Sequence, residues 1–321
     1  MHPQLKRTIA LCIKLLIGII SFYIIYRRLN QIPHFKEQCL LWLGHSKMYV
    51  VLAIALFLMT LNWGIESLKW NIITQQVEKL SYLTSVKSVL TGICIGNVAP
   101  GRAMEFLAKI YYFSSENRPK ATILHFVNGM FQMLITVSVG LVAIVYKVTN
   151  NSQSNMVAYV ALSIGVVMIA FFCWAIFNVS WIQQKLQFIK WFKQFENSSQ
   201  LSFSKPLVLK LIMLSILRYL MFTAQFFIIY KTLVPQADSW QVFTSVAAYF
   251  VITSIIPMIS IIEPAIRAAI AILVFNQPND NETLVALTAT LLWLINVVLP
   301  SMMGYAIILK EKINFKKEHA N

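Results

Sequence analysis

Long apolar runs separated by short polar segments dominate this sequence, and most of them have the length of a membrane-crossing helix. About 20 apolar residues are needed to cross the hydrocarbon core of a bilayer. Six runs meet this condition, at residues 8–26, 48–65, 123–146, 157–177, 207–230 and 284–309. The pattern predicts an all-α polytopic membrane protein with about six full transmembrane helices, forming a single integral membrane domain over residues 1–321.

Two further apolar regions are interrupted by proline. They are residues 83–113, broken at Pro100-Gly101, and residues 242–275, broken at Pro257 and again at Glu263-Pro264. Proline breaks or kinks a helix because it lacks a backbone N–H and clashes with the preceding turn. We expect each region either to re-enter the membrane face from which it came or to cross the membrane twice.

The charged residues indicate how these segments are oriented. The chain has 27 Lys and Arg against 12 Asp and Glu, and only 12% of its residues are charged, about half the share of a soluble domain. Basic loops are retained on the cytoplasmic side of a membrane. The loop charges therefore favour a multi-pass protein of the plasma (inner) membrane with both termini in the cytoplasm, although the four basic residues within 27–47 then lie outside. The two broken regions enter from opposite faces in this arrangement and form an inverted repeat, which is typical of a central binding site in transporters.

Residues 181–195 form a separate amphipathic segment. One helical stripe carries Gln183, Gln187, Lys190 and Gln194, and apolar residues lie opposite. This pattern predicts a helix lying in the cytoplasmic membrane interface. A plain connector that rests on the membrane would show the same pattern.

Both broken regions carry an acid followed four residues later by a base. The pairs are Glu105 with Lys109, after Pro100, and Glu263 with Arg267, after Pro257. This spacing places opposite charges on one helical face, and charge inside a membrane marks a functional or a strict structural requirement. The free N–H groups at the start of each half-helix would suit an anion such as a lipid phosphate. Alternatively, each acid only stabilises its own half-helix while the base neutralises it.

Two further segments carry embedded polar side chains. A stripe of His125, Asn128, Gln132 and Thr136 occupies one face of the span at 123–146, and Arg218 lies near the middle of the span at 207–230. Such residues either line a cavity or form interhelical hydrogen bonds. The other ten acidic residues, Glu66 among them, fall in loops, in tails or near the ends of spans. The expected substrate-binding residues are Asn97, Arg102, Glu105, Lys109, Gln132, Arg218, Glu263 and Arg267.

The sequence carries no recognisable enzyme signature. The sequence contains no nucleophile elbow, no phosphate-binding loop, no zinc-protease motif and no His/Cys cluster. We therefore expect no enzymatic activity, no cofactor, no metal site and no nucleic-acid partner.

Several of these blocks resemble a known family. The block N-x-x-P-G-R-x-x-E at residues 97–105, a weaker block with Asn62, Glu66, Lys69 and Trp70, and the later half-helix opened by Glu263 resemble the transmembrane region of lysylphosphatidylglycerol synthases, also described as flippase-like integral membrane proteins. The resemblance implies re-entrant helices and an anionic or polyprenyl-type lipid substrate. Larger family members add a soluble aminoacyl-transferase domain. Because residue 321 closely follows the last span, we expect aminoacyl-lipid synthesis to need a separate protein.

Two hypotheses on function follow. The first is a flippase-like translocator of an anionic phospholipid or a lipid-linked head group, whose phosphate meets the embedded arginines. The second is a non-transporting membrane module that binds a lipid, or a separately encoded lipid-modifying enzyme, and presents substrate to that enzyme.

Overall fold

A computed structural model describes residues 37, 44, 46–97, 104–150, 155–186, 200–256, 263–275 and 282–311. Within these residues the secondary structure is helical and contains no strand. The predicted all-α class is therefore confirmed. The predicted first span at 8–26, the break at Pro100-Gly101 with Arg102, and the break at Pro257 lie outside the described residues. The predicted break at Glu263-Pro264 coincides with the start of a helix.

Eleven helices and one π-helical turn are found in the described part of the chain. They are α1 (Ser46–Thr74), α2 (Tyr82–Gly96), α3 (Glu105–Ile110), α4 (Arg118–Asn150), α5 (Asn155–Phe177), α6 (Val179–Leu186), α7 (Lys205–Leu233), α8 (Ser239–Ile255), α9 (Glu263–Val274), α10 (Glu282–Trp293), the π-helical turn Leu294–Val298 and α11 (Leu299–Lys310). Five stretches are long and apolar enough to span a membrane, namely Lys47–Thr74, Arg118–Thr149, Tyr159–Phe177, Lys205–Leu233 and Glu282–Lys310. They match five of the six predicted spans, so the protein is a multi-pass membrane protein.

Helix α4 relates the two broken regions to each other. It has 33 residues and is therefore about 50 Å long, which is enough to reach both faces of a membrane. At its start, Arg118 Nε donates to the carbonyl of Phe113, just after α3, at 3.2 Å. Near its other end, Lys147 Nζ donates to the carbonyl of Val274, the last residue of α9, at 3.0 Å. Helices α3 and α9 thus end at opposite ends of α4.

The first broken region, α2 and α3, returns to the side from which it entered. The segment before α2 contributes Glu78, whose Oε2 accepts hydrogen bonds from the backbone N–H of Ser114 at 3.1 Å and from Asn117 Nδ2 at 2.9 Å. Both donors lie after α3. Because α3 has six residues, it is about 9 Å long and cannot cross the membrane. We refer to α2 and α3 as the first hairpin.

The second broken region, α8 and α9, also returns to its own side. Trp240 at the start of α8 packs edge-on against Tyr146 near the end of α4, with ring centroids 5.7 Å apart. Lys147, the next residue of α4, holds the end of α9. Helix α9 has 12 residues and spans only about 18 Å. This second hairpin is therefore re-entrant and enters opposite to the first, as the inverted arrangement predicted.

The last long helix contacts both hairpins. Its first part, α10, packs against α9, and its second part, α11, packs against α2. A Cβ atom at Gly304 would lie 2.1 Å from the backbone carbonyl oxygen of Leu90, so this close approach requires glycine. Pro300 explains the π-helical turn between the two parts, because its ring cannot donate to the carbonyl four residues earlier.

The predicted interfacial helix is described only in its first part, α6. Gln183, which the pattern places on the polar face, is 4% exposed, and its Oε1 accepts a hydrogen bond from the backbone N–H of Leu201 at 2.8 Å. The prediction that Gln183 lies on a solvent-facing surface was wrong, because its amide oxygen is hydrogen-bonded to a buried backbone N–H group instead of to water. Gln187, Lys190 and Gln194 lie outside the described residues.

Candidate functional site

A cavity of about 270 Å³ lies between the two hairpins. Its wall includes side chains of α1, α3, α4, α7, α8, α9, α10 and the π-helical turn. The charged residues on the wall are Glu66, Glu105, Arg218 and Arg267. Since Glu105 belongs to the first hairpin and Arg267 to the second, both hairpins contribute charge to the same cavity.

Glu66 is the centre of a buried group of charges, which we call the central cluster. Its members are Glu66, Lys69, Glu105, Lys109 and Arg218. The Glu66 carboxylate lies 2.5 Å from Arg218 Nη1, 3.6 Å from Lys109 Nζ and 3.9 Å from Lys69 Nζ. It also accepts a hydrogen bond from Asn128 Nδ2 at 2.8 Å. One carboxylate from α1 thus joins bases from three helices.

Arg218 is held in place from several directions. Its Nε donates to Asn62 Oδ1 at 3.1 Å, and its Nη1 lies 3.5 Å from Gln132 Oε1. The guanidinium carbon is 5.5 Å from the ring centroid of Trp63 and 5.7 Å from that of Phe222, distances at which cation–π attraction operates. From the polar stripe predicted on the fourth segment, Gln132 contacts this arginine directly, and Asn128 contacts its partner Glu66.

The acid–base pair of the first hairpin is part of the central cluster. Lys109 Nζ lies 2.9 Å from Glu105 and 5.4 Å from the ring centroid of Trp70, and the residue is 2% exposed. Gly92 of α2 leaves room for it, since a Cβ there would be 3.0 Å from Lys109 Cγ. Lys109 therefore serves two carboxylates, Glu105 and Glu66.

The pair of the second hairpin has a simpler environment. Glu263 is the first residue of α9, where a carboxylate suits the helix dipole. Arg267 Nε and Nη2 each lie 2.9 Å from Glu263 Oε1, and Arg267 also interacts with Tyr249. The side chain of Glu263 is 5% exposed and that of Arg267 is 20% exposed. The arginine lines the cavity, whereas the acid lies behind it.

The cavity wall also carries an uncharged polar group, the amide of Asn296. Its Nδ2 donates to Gln225 Oε1 on α7 at 3.0 Å. Gln225 follows Arg218 by seven residues, which is about 10 Å along the helix axis. The side chains of Phe222 and Phe250 on the wall pack against each other, with ring centroids 6.0 Å apart.

Four residues on the cavity wall carry buried polar atoms without a protein partner. In the described part of the chain, these atoms are Trp63 Nε1, Trp293 Nε1, Asn296 Oδ1 and Tyr219 Oη. A buried polar atom without a partner costs free energy unless water or a ligand satisfies it. They offer two indole donors, one amide acceptor and a hydroxyl group that can donate or accept to an occupant of the cavity.

The cavity reaches the protein surface among apolar side chains. Ser254 is exposed and forms part of the wall. The next two residues, Ile255 and Ile256, are 47% and 41% exposed. In a multi-pass membrane protein such a surface faces lipid chains.

The eight predicted site residues differ in where the structure places them. Glu105, Gln132, Arg218 and Arg267 line the cavity, Lys109 lies behind Glu105 in the central cluster, and Glu263 lies behind Arg267. Asn97 is not on the cavity wall. It follows the end of α2 and its Nδ2 donates to Ser301 Oγ, which joins the first hairpin to α11. Arg102 lies outside the described residues.

Glu66 is the charged residue on the cavity wall that the sequence prediction missed. The predicted span ended at residue 65, which placed Glu66 near a membrane surface, but α1 continues to Thr74 and Glu66 is 6% exposed. Asn62, Glu66, Lys69 and Trp70 recur at helical spacing, so a longer helix would have placed all four on one buried face.

In comparisons with known proteins, no family model matches this chain, and no curated protein matches it significantly. The class of the protein therefore follows from the fold alone. It is an α-helical multi-pass membrane protein in which two opposed re-entrant hairpins enclose a charged cavity.

Proposed function

We propose that this protein is a translocator for a lipid with an anionic head group. The head group occupies the cavity while the acyl chains remain in the bilayer. Two observations carry the proposal: the cavity wall holds two arginines, buried Arg218 and half-buried Arg267, and the mouth of the cavity lies among exposed apolar side chains. Guanidinium groups bind phosphate through charge-assisted hydrogen bonds.

The size and position of the cavity favour a lipid over a soluble anion. A volume of about 270 Å³ lies near the lower limit of small-molecule sites, so the cavity suits a head group better than a whole lipid. The mouth at Ser254 lies beside Ile255 and Ile256. A soluble ligand would have to pass this apolar surface, whereas the chains of a lipid would favour it.

The opposed hairpins support movement rather than binding alone. Transporters with inverted repeats expose a central site alternately to the two faces, through discontinuous helices around that site. Here the first hairpin contributes Glu105 and the second contributes Arg267 to one wall. We assign the end of the protein that carries the first hairpin to the cytoplasmic side of the plasma (inner) membrane, as the loop charges favour.

The proposal is tested by lipid movement in proteoliposomes. Purified protein is reconstituted with fluorescently labelled phosphatidylglycerol, and the arrival of label at the outer leaflet is followed. The double variant Glu263→Gln/Arg267→Gln removes the arginine without leaving the buried acid unpaired. Loss of charge-assisted hydrogen bonds should slow the movement by about tenfold or more. The control is Lys210→Gln, an exposed residue on α7, which should move lipid at the wild-type rate.

The second hypothesis predicts a different result in the same experiment. A module that only presents lipid to a separate enzyme would bind phosphatidylglycerol saturably, would not move it, and would co-purify with its enzyme. Wild-type movement in both the double variant and an Arg218→Gln variant that remains folded would refute the translocator proposal.

A further inference from the structure

Lys69 has an unusual environment for a lysine. Its side chain is 0% exposed, and in the described part of the chain Nζ has no hydrogen-bond partner. The nearest carboxylate oxygen, Glu66 Oε2, lies 3.9 Å away and is taken at 2.5 Å by Arg218. An ammonium group needs donors satisfied and charge compensated when it is buried. Lys69 has neither.

The charges of the central cluster do not balance while Lys69 is an ammonium. Within the described ranges, Lys69, Lys109 and Arg218 then face only two carboxylates, Glu66 and Glu105. An excess positive charge in a dry interior is unfavourable. If Lys69 is a neutral amine, two bases remain against two acids, and the cluster is balanced without any further group.

An anion in the cavity would favour the charged form of Lys69 over the neutral amine. Glu66, Glu105 and Arg218 lie on the cavity wall, with Lys69 directly behind Glu66. A phosphate beside Arg218 would add negative charge within a few ångströms of the cluster, and a nearby opposite charge favours the charged form of an amine. The negative charge of the anion would then compensate a positive charge on Lys69.

We propose that Lys69 is a neutral amine while the cavity is empty and takes up a proton when an anion binds. Binding of the anion is then coupled to uptake of about one proton. The inference rests on the proposed function in so far as the anion is a lipid head group. It makes the translocator a proton-coupled one.

The route of the proton follows from the same contacts. On uptake, a hydronium ion in the cavity gives a proton to the Glu66 carboxylate and is left as water. The O–H bond formed on Glu66 then breaks as the proton moves to the lone pair of Lys69 Nζ, 3.9 Å away, and Glu66 is again a carboxylate. Release runs in reverse. No oxidant, reductant or second substrate is needed, because only a proton changes place.

Charged and titratable groups on several helices surround Lys69. Those that act on it directly are Glu66 on its own helix, Lys109 on α3 and Arg218 on α7. His125 on α4 is the remaining titratable group nearby, and it packs against the ring of Trp70. On α2, Lys87 is half exposed and paired with Glu311 at 2.9 Å. Among the described residues, Lys69 is thus the cluster base without a close partner.

Nitrogen NMR on protein with isotope-labelled lysine side chains tests the inference, since a neutral amine and an ammonium resonate apart. The protein is reconstituted at neutral pH in vesicles of phosphatidylcholine alone, and in vesicles that also contain phosphatidylglycerol. In phosphatidylcholine we expect one neutral-amine signal, absent from Lys69→Met and present in the control Lys210→Met. In phosphatidylglycerol this signal should shift to the ammonium position. In Glu263→Gln/Arg267→Gln it should shift less.

Each other outcome has a defined meaning. Only ammonium signals in phosphatidylcholine would overturn the inference while leaving lipid movement intact as a proposal. A neutral signal that phosphatidylglycerol does not shift would overturn the coupling, and the movement assay on the same vesicles would show whether the translocator proposal falls with it. Should Lys69→Met fail to fold, Lys69→Arg assigns the signal equally well, because arginine contributes no lysine resonance.

Discussion

The two hairpins carry the same short charge pattern but use it differently. Glu105 and Lys109 of the first hairpin, like Glu263 and Arg267 of the second, form ion pairs four residues apart at 2.9 Å. In the first hairpin the base also serves Glu66 and is 2% exposed, whereas the side chain of Arg267 is 20% exposed and lines the cavity. Each pair presents one member to the cavity, the acid Glu105 in the first and the base Arg267 in the second. The base of the first pair is built into the protein.

The difference arises outside the hairpins. Helix α1 places Glu66 beside Lys109, and α7 places Arg218 on the other side of the same carboxylate. Arg267 of the second hairpin instead interacts with Tyr249 of the same hairpin, and a phenol group carries no charge near neutral pH. The base of an acid–base pair at helical spacing is therefore buried when a further charged residue pairs with it, as Glu66 does with Lys109. Without such a residue the base can face a ligand, as Arg267 does.

The largest expected effect is that of removing Glu66, the carboxylate in the middle of the central cluster. Glu66→Ala leaves Arg218, Lys109 and Lys69 around an uncompensated buried position, so we expect a loss of about 3–5 kcal/mol of stability. Glu263→Ala removes the partner of one part-exposed arginine, and should cost clearly less. Thermal unfolding in detergent measures both, with exposed Glu116→Ala as the control.

A loss at Glu66 no greater than the loss at Glu263 would contradict the comparison. It would mean that the central cluster is compensated by groups other than Glu66, and that the first pair is no more deeply integrated into the fold than the second.

Removing both members of a pair sharpens the comparison. Glu263→Gln/Arg267→Gln replaces both members of an ion pair at once, which is close to neutral for many buried pairs, and we expect a change in stability below about 1 kcal/mol. Glu105→Gln/Lys109→Gln also takes a base from Glu66, so its cost should be about 2 kcal/mol. Chemical or thermal denaturation of the two double variants, each with its single variants, gives the coupling energies. Equal costs would show that Lys109 contributes nothing to Glu66.

The sequence was sufficient to predict the architecture but not the centre of the site. Apolar runs of membrane length locate five spans, and the prolines at 100 and 257 locate both hairpins, because each of these effects is local to its segment. The role of Glu66 depends on contacts with Lys109 and Arg218, which are 43 and 152 residues away in the chain. No local pattern specifies such contacts.

Two other features show the same limit. Asn97 matched a motif at a helix break, yet its amide bonds Ser301 of the last helix and lies away from the cavity wall. Trp293 and Asn296 were not predicted, because a tryptophan and an amide in an apolar span are common and only the packing of α10 beside the second hairpin brings them to the cavity.

The smallest expected effect concerns how each hairpin is closed at its base. The first is closed by Glu78, which accepts bonds from Ser114 and Asn117; the second is closed by Lys147 on a backbone carbonyl. Burial alone would raise the pKa of the Glu78 carboxyl, but the hydrogen bonds from Asn117 and Ser114 outweigh it and hold the pKa below its ordinary value. A lowered pKa in the folded state means stability that is complete above the ordinary pKa of about 4.3 and lost as the pH falls through the folded value.

Acid should therefore loosen the first hairpin before the second. We expect wild-type protein to be more stable than Glu78→Gln at neutral pH by under about 1 kcal/mol, and this advantage should disappear in acid as the carboxyl takes up its proton. Thermal unfolding of both proteins across this pH range measures the difference, and hydrogen exchange at residues 111–117 and 239–245 localises it. An advantage that persists unchanged in acid would show that the carboxylate charge does not close the first hairpin, because glutamine and a protonated acid would then differ for another reason.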